Sequence, residues 1–216
     1  MARCHTIRSW YERRAVDNVT KEPYAATRCA LYHCGARRFL VSHSPLPLPH
    51  LIVLGIDPGT QLTGYGVVRA DHSNSSTLVE CGVIRTHARD PLPSRLREIY
   101  DGVTELLHRH KPDVMSIEDV FYARNVRTTV TLGHARGVIL LAGEQQGVRV
   151  HEMAPAAIKK AVVGAGAATK EQVQFMVTRL LRLKSAPKPS DAADGVAAAL
   201  AYIMGAHLEA ASRMRR

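Results

Sequence analysis

From residue 51 onward the chain alternates between two hydrophobic rhythms, one of strands and one of helices. Residues 51–56 are a continuous apolar run that ends on Asp57. Pro58, Gly59 and Thr60 make a turn, and a second β-rich run covers 63–68. The pattern predicts a buried strand, a tight turn and an antiparallel return strand. A third strand is expected over 77–86. A fourth, over 114–118, again closes on an acid, Glu118. Between them Leu96, Ile99, Val103, Leu106 and Leu107 recur at helical spacing, predicting an amphipathic helix over 94–110. A long helix over 125–146 carries Gly133 and Gly137 on one face, where a sheet or a twin helix could approach closely. A fifth strand over 148–153 precedes helices near 155–162, 169–182 and 190–210. Three leading antiparallel strands, then alternating helices and strands, predict an α/β fold with a mixed five-stranded sheet and helices on both faces.

The first 50 residues follow neither rhythm. They hold eight Lys and Arg against three acids, and they end in the proline-alternating stretch SHSPLPLPH, which suits neither helix nor central strand. Arg13 and Arg14 precede no apolar core of a signal peptide. The expectation is a basic, disordered extension over 1–50 or a mis-assigned start, with the working protein beginning near Leu51. Residues 51–210 then form the main domain, and 211–216 a basic tail.

Charge narrows the partner. Lys plus Arg number 29 and Asp plus Glu 19, a formal net charge of +10, which favours a polyanion and nucleic acid before a membrane surface. No apolar run reaches the roughly 20 residues that span a bilayer. The four cysteines, Cys4, Cys29, Cys34 and Cys81, have no metal-finger spacing and read as reduced thiols of a cytoplasmic protein.

Four acids then become conspicuous by position. Asp57 and Glu118 each end a strand, and Asp191 and Asp194 lie three apart, on one face, at the start of the last helix. Ser190 is a candidate N-cap for that helix. Each acid alone has an ordinary explanation: the helix dipole for Asp191 and Asp194, a turn for Asp57, solvent for Glu118. Together they are costly, because converging carboxylates repel and a buried one needs a partner. Oxygen donors without an accompanying Cys or His cluster point to Mg²⁺ or Mn²⁺. The segment after 190 is otherwise small and apolar, so packing it on the sheet would bring its acids to the acidic strand ends.

The stretches GIDPGTQLTGYGVV, IEDVFYARNVRTTVTLGHARGV, APAAIKKAVVGAGAATKEQVQFMV and SDAADGVAAALA, in that order, resemble the RuvC family of bacterial Holliday-junction resolvases over about residues 51–208. The resemblance implies an RNase H-like fold, a homodimer, and Mg²⁺-dependent nicking of two like-polarity strands of a four-way DNA junction, leaving ligatable 5′-phosphates. It implies that Asp57, Glu118, Asp191 and Asp194 hold two Mg²⁺ per site, with Mn²⁺ able to substitute. Phe121 matches an aromatic that stacks on an unpaired base. Lys159 and Lys170 match lysines at the DNA backbone, and Arg124 and Arg127 are further candidates for phosphate contact. The RuvA and RuvB branch-migration proteins are the implied partners. The family commonly has Ser where Thr60 stands, and Gln or Asp beside the catalytic Glu, here Asp119.

Other readings compete less well. The IDPGT turn also opens actin-like ATPases, but those need a second phosphate loop and two large lobes. Another RNase H-like nuclease remains the alternative enzyme, and a non-cutting junction binder the alternative without catalysis.

Overall fold

The computed structural model describes residues 3–7, 50–71, 75–119 and 126–213, with side chains from 50 to 207 within those ranges. Its elements are β1 (Arg3–Ile7), β2 (His50–Asp57), β3 (Leu62–Asp71), β4 (Ser76–Arg85), α1 (Leu92–His110), β5 (Val114–Glu118), α2 (Val126–Gln145), β6 (Arg149–Met153), α3 (Pro155–Val163), α4 (Lys170–Leu180) and α5 (Ser190–Arg213). Every strand and helix expected beyond residue 50 is present, in order. The helix α5 runs through Arg213, into the stretch expected as a tail.

The sheet order is β1-β4-β3-β2-β5-β6. The β2–β3 and β3–β4 pairs are antiparallel; β2–β5 and β5–β6 are parallel. The five expected strands thus form the mixed sheet of an RNase H-like fold. A sixth, β1, extends it by pairing in parallel with β4 from Arg3↔Glu80 to Ile7↔Ile84. The expectation of a structureless arm does not hold at residues 3–7. Their five residues carry no pattern of their own, and the free edge of β4 supplies the pairing that local sequence does not announce. The rest of the extension, 8–49, lies outside the described residues. Among the described residues no helix is long and apolar enough to cross a membrane.

Alternation along each strand divides the core into two layers. Val53, Val68, Leu78 and Cys81 face α3, α4 and α5; Leu54, Ile56, Tyr65 and Val67 face α1 and α2. Because both faces are covered, β2 reads in the sequence as one apolar run rather than an alternation. A buried polar cluster sits in the second layer: Glu80 accepts from the Tyr65 hydroxyl (2.8 Å), pairs with His110 Nε2 (3.0 Å) and is bridged by Arg109 (3.3 Å). Burial, then that bond to Glu80, pushes the Tyr65 phenol well above its ordinary range.

The contact that positions the chemistry is the docking of α5 across β2 and β3. A Cβ on Gly55 would lie 2.1 Å from the Gly195 carbonyl oxygen, and one on Gly64 only 1.9 Å from that of Asp191. On Gly66 it would meet Val196 Cγ2 at 2.4 Å, and on Gly195 the Tyr65 Cα at 2.6 Å. Backbone therefore rests nearly on backbone, which only glycine permits. The buried face of α5 is correspondingly small: Ala192, Ala193, Ala197, Ala198, Ala199 and Ala201. Ser116 of β5 ties down the middle of the helix by donating to the Ala198 carbonyl at 2.9 Å.

Gly133 and Gly137 behave differently from what their spacing suggested. Both are exposed, with nothing within 4 Å of a notional Cβ among the described residues; α2 meets the sheet through Ala135, Ile139 and Ala142. Their helical positions therefore carry the usual glycine penalty without a packing return. Gly133→Ala and Gly137→Ala are each expected to stabilise the protein by about 0.5–1 kcal/mol. Thermal melts check this, and a lower Tm would mean that another chain covers that face.

Candidate active site

The site is built at the carboxyl ends of the central parallel strands, where open α/β sheets place their ligands. Ile56 pairs with Ile117, so the next residues, Asp57 and Glu118, leave adjacent strands side by side. On its other flank Asp57 pairs with Gly64, the residue against which the Asp191 backbone rests. The glycine at 64 thereby admits the first turn of α5 to the edge of Asp57. Helical spacing then turns Asp194 toward the same region. Ser190 opens α5 as its first residue, its hydroxyl 3.4 Å from Asp191 Oδ2, rather than preceding the helix as a cap.

The acids act on one another electrostatically. Burial first, then the neighbouring Glu118 and Asp194, pushes the Asp57 carboxyl up to about 8. Asp191 adds a smaller repulsion, and Lys170 pulls the other way. Glu118 is pushed up to about 7, again by burial first and then by Asp194, against the pull of Lys159 and Lys170. Asp194 is raised by burial, an effect that the Lys170 hydrogen bond opposes. These are carboxylates in mutual repulsion that burial intensifies, the condition a bound cation relieves.

Two of the expected lysines reach this cluster. Lys170 Nζ lies 3.1 Å from Asp194 Oδ2, and that bond holds the ammonium charged, above its ordinary range. Its position is set by the capping box that starts α4. Thr169 Oγ1 accepts from the Gln172 backbone N–H (3.3 Å), and Gln172 Oε1 accepts from that of Thr169 (2.9 Å). Lys159, on α3, acts electrostatically on both Glu118 and Asp194. Arg127 lies exposed in the first turn of α2. Phe121 and Arg124 lie outside the described residues.

All four acids offer carboxylate oxygens, a set suited in chemistry and charge to a hard divalent ion. They stand open rather than closed on one point: among the described residues no three Asp, Glu, His or Cys side chains already share a ready-made metal cage. Asp194 is instead engaged by Lys170. Half-buried acids beside two lysines can give up protons, accept a hard ion and face a phosphodiester.

Sequence reasoning missed two supports of this site. One is the glycine floor under α5, which was visible as Gly55, Gly64 and Gly66 but was read only as part of a motif. The other is Arg136, which pairs with Asp119, next to Glu118, and with Glu152. It carries no local signal, because it sits in a helix whose polar positions look alike.

Comparison with known proteins shows the family. A family model described as "Crossover junction endodeoxyribonuclease RuvC" matches residues 53–202. A curated relative of that description from Desulforamulus reducens is 43% identical over 152 residues, covering 70% of this chain and 93% of the relative. Among solved structures, Thermus thermophilus RuvC superposes with a TM-score of 0.68 at 35% identity, over 74% of this chain and 97% of that one. The same protein in complex with a Holliday junction substrate gives 0.67 at 34% identity, over 73% and 96%.

Proposed function

The chain belongs to the RuvC family of crossover junction endodeoxyribonucleases, and from that membership and the site's geometry we propose how it cuts. The protein is a hydrolase that resolves Holliday junctions. In the proposed mechanism Asp57, Glu118, Asp191 and Asp194 hold Mg²⁺, two ions per site, with Mn²⁺ able to substitute. When bound, such ions lower the pKa of an attacking water and stabilise the departing 3′ oxygen of the scissile phosphodiester. The observation that carries the assignment is Asp57: a carboxyl raised to about 8 at the end of a central strand is a group waiting for positive charge.

The residues of the chain do the rest. Asp57 and Glu118, on adjacent strand ends, give a rigid base that does not depend on loop order. Asp191 and Asp194 complete the set from a helix seated on glycine. Lys170 pairs with Asp194, and its exposed ammonium would also attract a DNA phosphate brought to the acids. Lys159 supplies a second positive group on the same side. Phe121, Arg124 and Arg127 are proposed to meet the junction, Phe121 by stacking on an unpaired base and the arginines at phosphates. The net charge of +10 makes binding salt-sensitive.

A homodimer fits a two-fold substrate, because two identical sites then face two strands of like polarity and leave paired nicks with 5′-phosphates. The proposal places the enzyme in the cytoplasm, working with RuvA and RuvB. The test is a nicking assay on a labelled mobile four-way junction in Mg²⁺, Ca²⁺ and EDTA. Paired nicks that ligase seals, formed with Mg²⁺ and absent in EDTA, are the expected result. Unpaired or EDTA-resistant cutting would overturn the metal-dependent dimer.

A further inference from the structure

We propose that Arg136 is a positioning residue for cleavage: by clamping Asp119 to Glu152 it fixes the strand end from which Glu118 projects. The inference rests on the reading that Glu118 serves the reaction. Arg136 lies on α2, between Ala135 and Ile139, and both of those are buried. Its Nη2 is 3.3 Å from Asp119 Oδ1 and also pairs with the Glu152 carboxylate. Asp119 directly follows Glu118. Glu152 pairs in the sheet with Ile117, the residue directly before it. One guanidinium therefore ties the residue that follows Glu118 to the neighbouring strand β6, at the register of Ile117. The backbone reinforces the same junction, since the Asp119 N–H donates to the Met153 carbonyl at 2.8 Å.

Exposed ion pairs contribute little to stability, and Asp119 and Glu152 are each about half exposed, so the effect expected here is on position rather than on stability. The Arg136 side chain is only 22% exposed, and its Nε is buried without an acceptor among the described residues. A donor left in that state costs free energy, so the arginine is held in place by its packing and its two carboxylates rather than by a full set of hydrogen bonds. Both carboxylates meet the one Nη2, at the end of a planar group that packing holds in place, and a flexible lysine ammonium replaces it only in part. Groups that orient a metal-binding carboxylate from behind typically matter by about 10–100-fold in affinity or rate.

The test uses the full-length protein carrying Arg136→Met, Arg136→Lys or Glu152→Gln, with Asp57→Asn alongside. Single-turnover cutting of a mobile junction is measured at saturating protein. Junction Kd in Ca²⁺, the Mg²⁺ concentration for half-maximal rate, and Tm are measured beside it. Arg136→Met is expected to cut about 10–100-fold more slowly and to need more Mg²⁺, with junction affinity unchanged. Arg136→Lys should recover part of the rate, and Glu152→Gln should shift rate and Mg²⁺ demand in the same direction by less. Parent-like cutting by both Arg136→Met and Glu152→Gln would overturn the proposal. So would a loss confined to junction binding, which would make Arg136 a DNA contact. If Arg136→Met does not fold, Glu152→Gln, altered at a half-exposed side chain, decides. Residual cutting by Asp57→Asn would instead overturn the acid assignment, whatever Arg136 does.

Discussion

Asp57→Asn is expected to bind four-way junctions with the parent's affinity and to cut them on the order of a thousandfold more slowly. Several kcal/mol of transition-state charge stabilisation depend on the metal it would hold, and each 1.36 kcal/mol is a factor of ten. The same substitution should make the metal-free protein more stable at neutral and alkaline pH. The Asp57 carboxyl is raised from 3.8 to about 8 in the folded state, so the folded protein binds that proton more tightly than the unfolded chain. The resulting stability is fully present below about pH 4 and is lost as pH rises through about 8. Glu118, raised to about 7, acts in the same direction over a slightly narrower window. In EDTA the parent's Tm should therefore fall from pH 5 to pH 8, and Mg²⁺ should restore it most at pH 8. The Asn variant, which has no charge to bury at 57, should show a shallower fall and a smaller response to Mg²⁺. Calorimetry at three pH values with and without Mg²⁺ measures all of this. A variant that melts below the parent at pH 8 in EDTA, or that still cuts near the parent rate, would remove Asp57 from the proposed role.

Much of the candidate site was legible in the sequence, and Asp57 shows why. An acid that closes an apolar run has few ways to be tolerated, so Asp57 and Glu118 stood out from pattern alone. Their partners on α5 stood out because proline halts the chain just before them and small residues follow. The strands were equally legible where both faces are buried, since β2 is then a continuous apolar run and β5 is broken only by Ser116, whose hydroxyl is bonded to α5. What pattern did not reveal depends on contacts across the fold. The short strand β1 exists because β4 offers an unpaired edge. Gly133 and Gly137 share a helical face, but which face meets the sheet is decided by Ala135, Ile139 and Ala142, and the spacing of the glycines is silent on that. Arg136 gains its significance only when α2 is laid over the ends of β5 and β6. The Glu80 cluster likewise joins β3, β4 and the end of α1, and no two of its members are close enough in sequence to suggest it, except His110 and Arg109.

The glycine floor makes the strongest structural claim, and Gly64→Ala tests it. The added methyl would lie 1.9 Å from the Asp191 carbonyl oxygen and 2.5 Å from its carbon, both backbone atoms that no rotamer change can move aside. The first turn of α5 must then lift by more than an ångström. Overpacking of this kind costs about 1–3 kcal/mol, and a displacement of that size at reacting groups can slow a reaction by about 100-fold. Gly64→Ala should thus melt earlier than the parent and cut about 100-fold more slowly even at temperatures where it is fully folded. Gly66→Ala separates the two effects. Its methyl would strike Val196 at 2.4 Å, a turn further along α5 than Asp191. A similar loss of Tm is expected there, with a smaller loss of rate, because the helix is displaced beyond the acids rather than beneath them. Equal rate losses in the two variants would mean that stability alone governs cutting. A parent-like rate in folded Gly64→Ala would mean that the acids of α5 work without the close seat on β3. The expected inequality is what ties the glycines of the opening hairpin to the chemistry: they make room for a helix whose first turn brings Asp191 and Asp194 to the acidic ends of two strands.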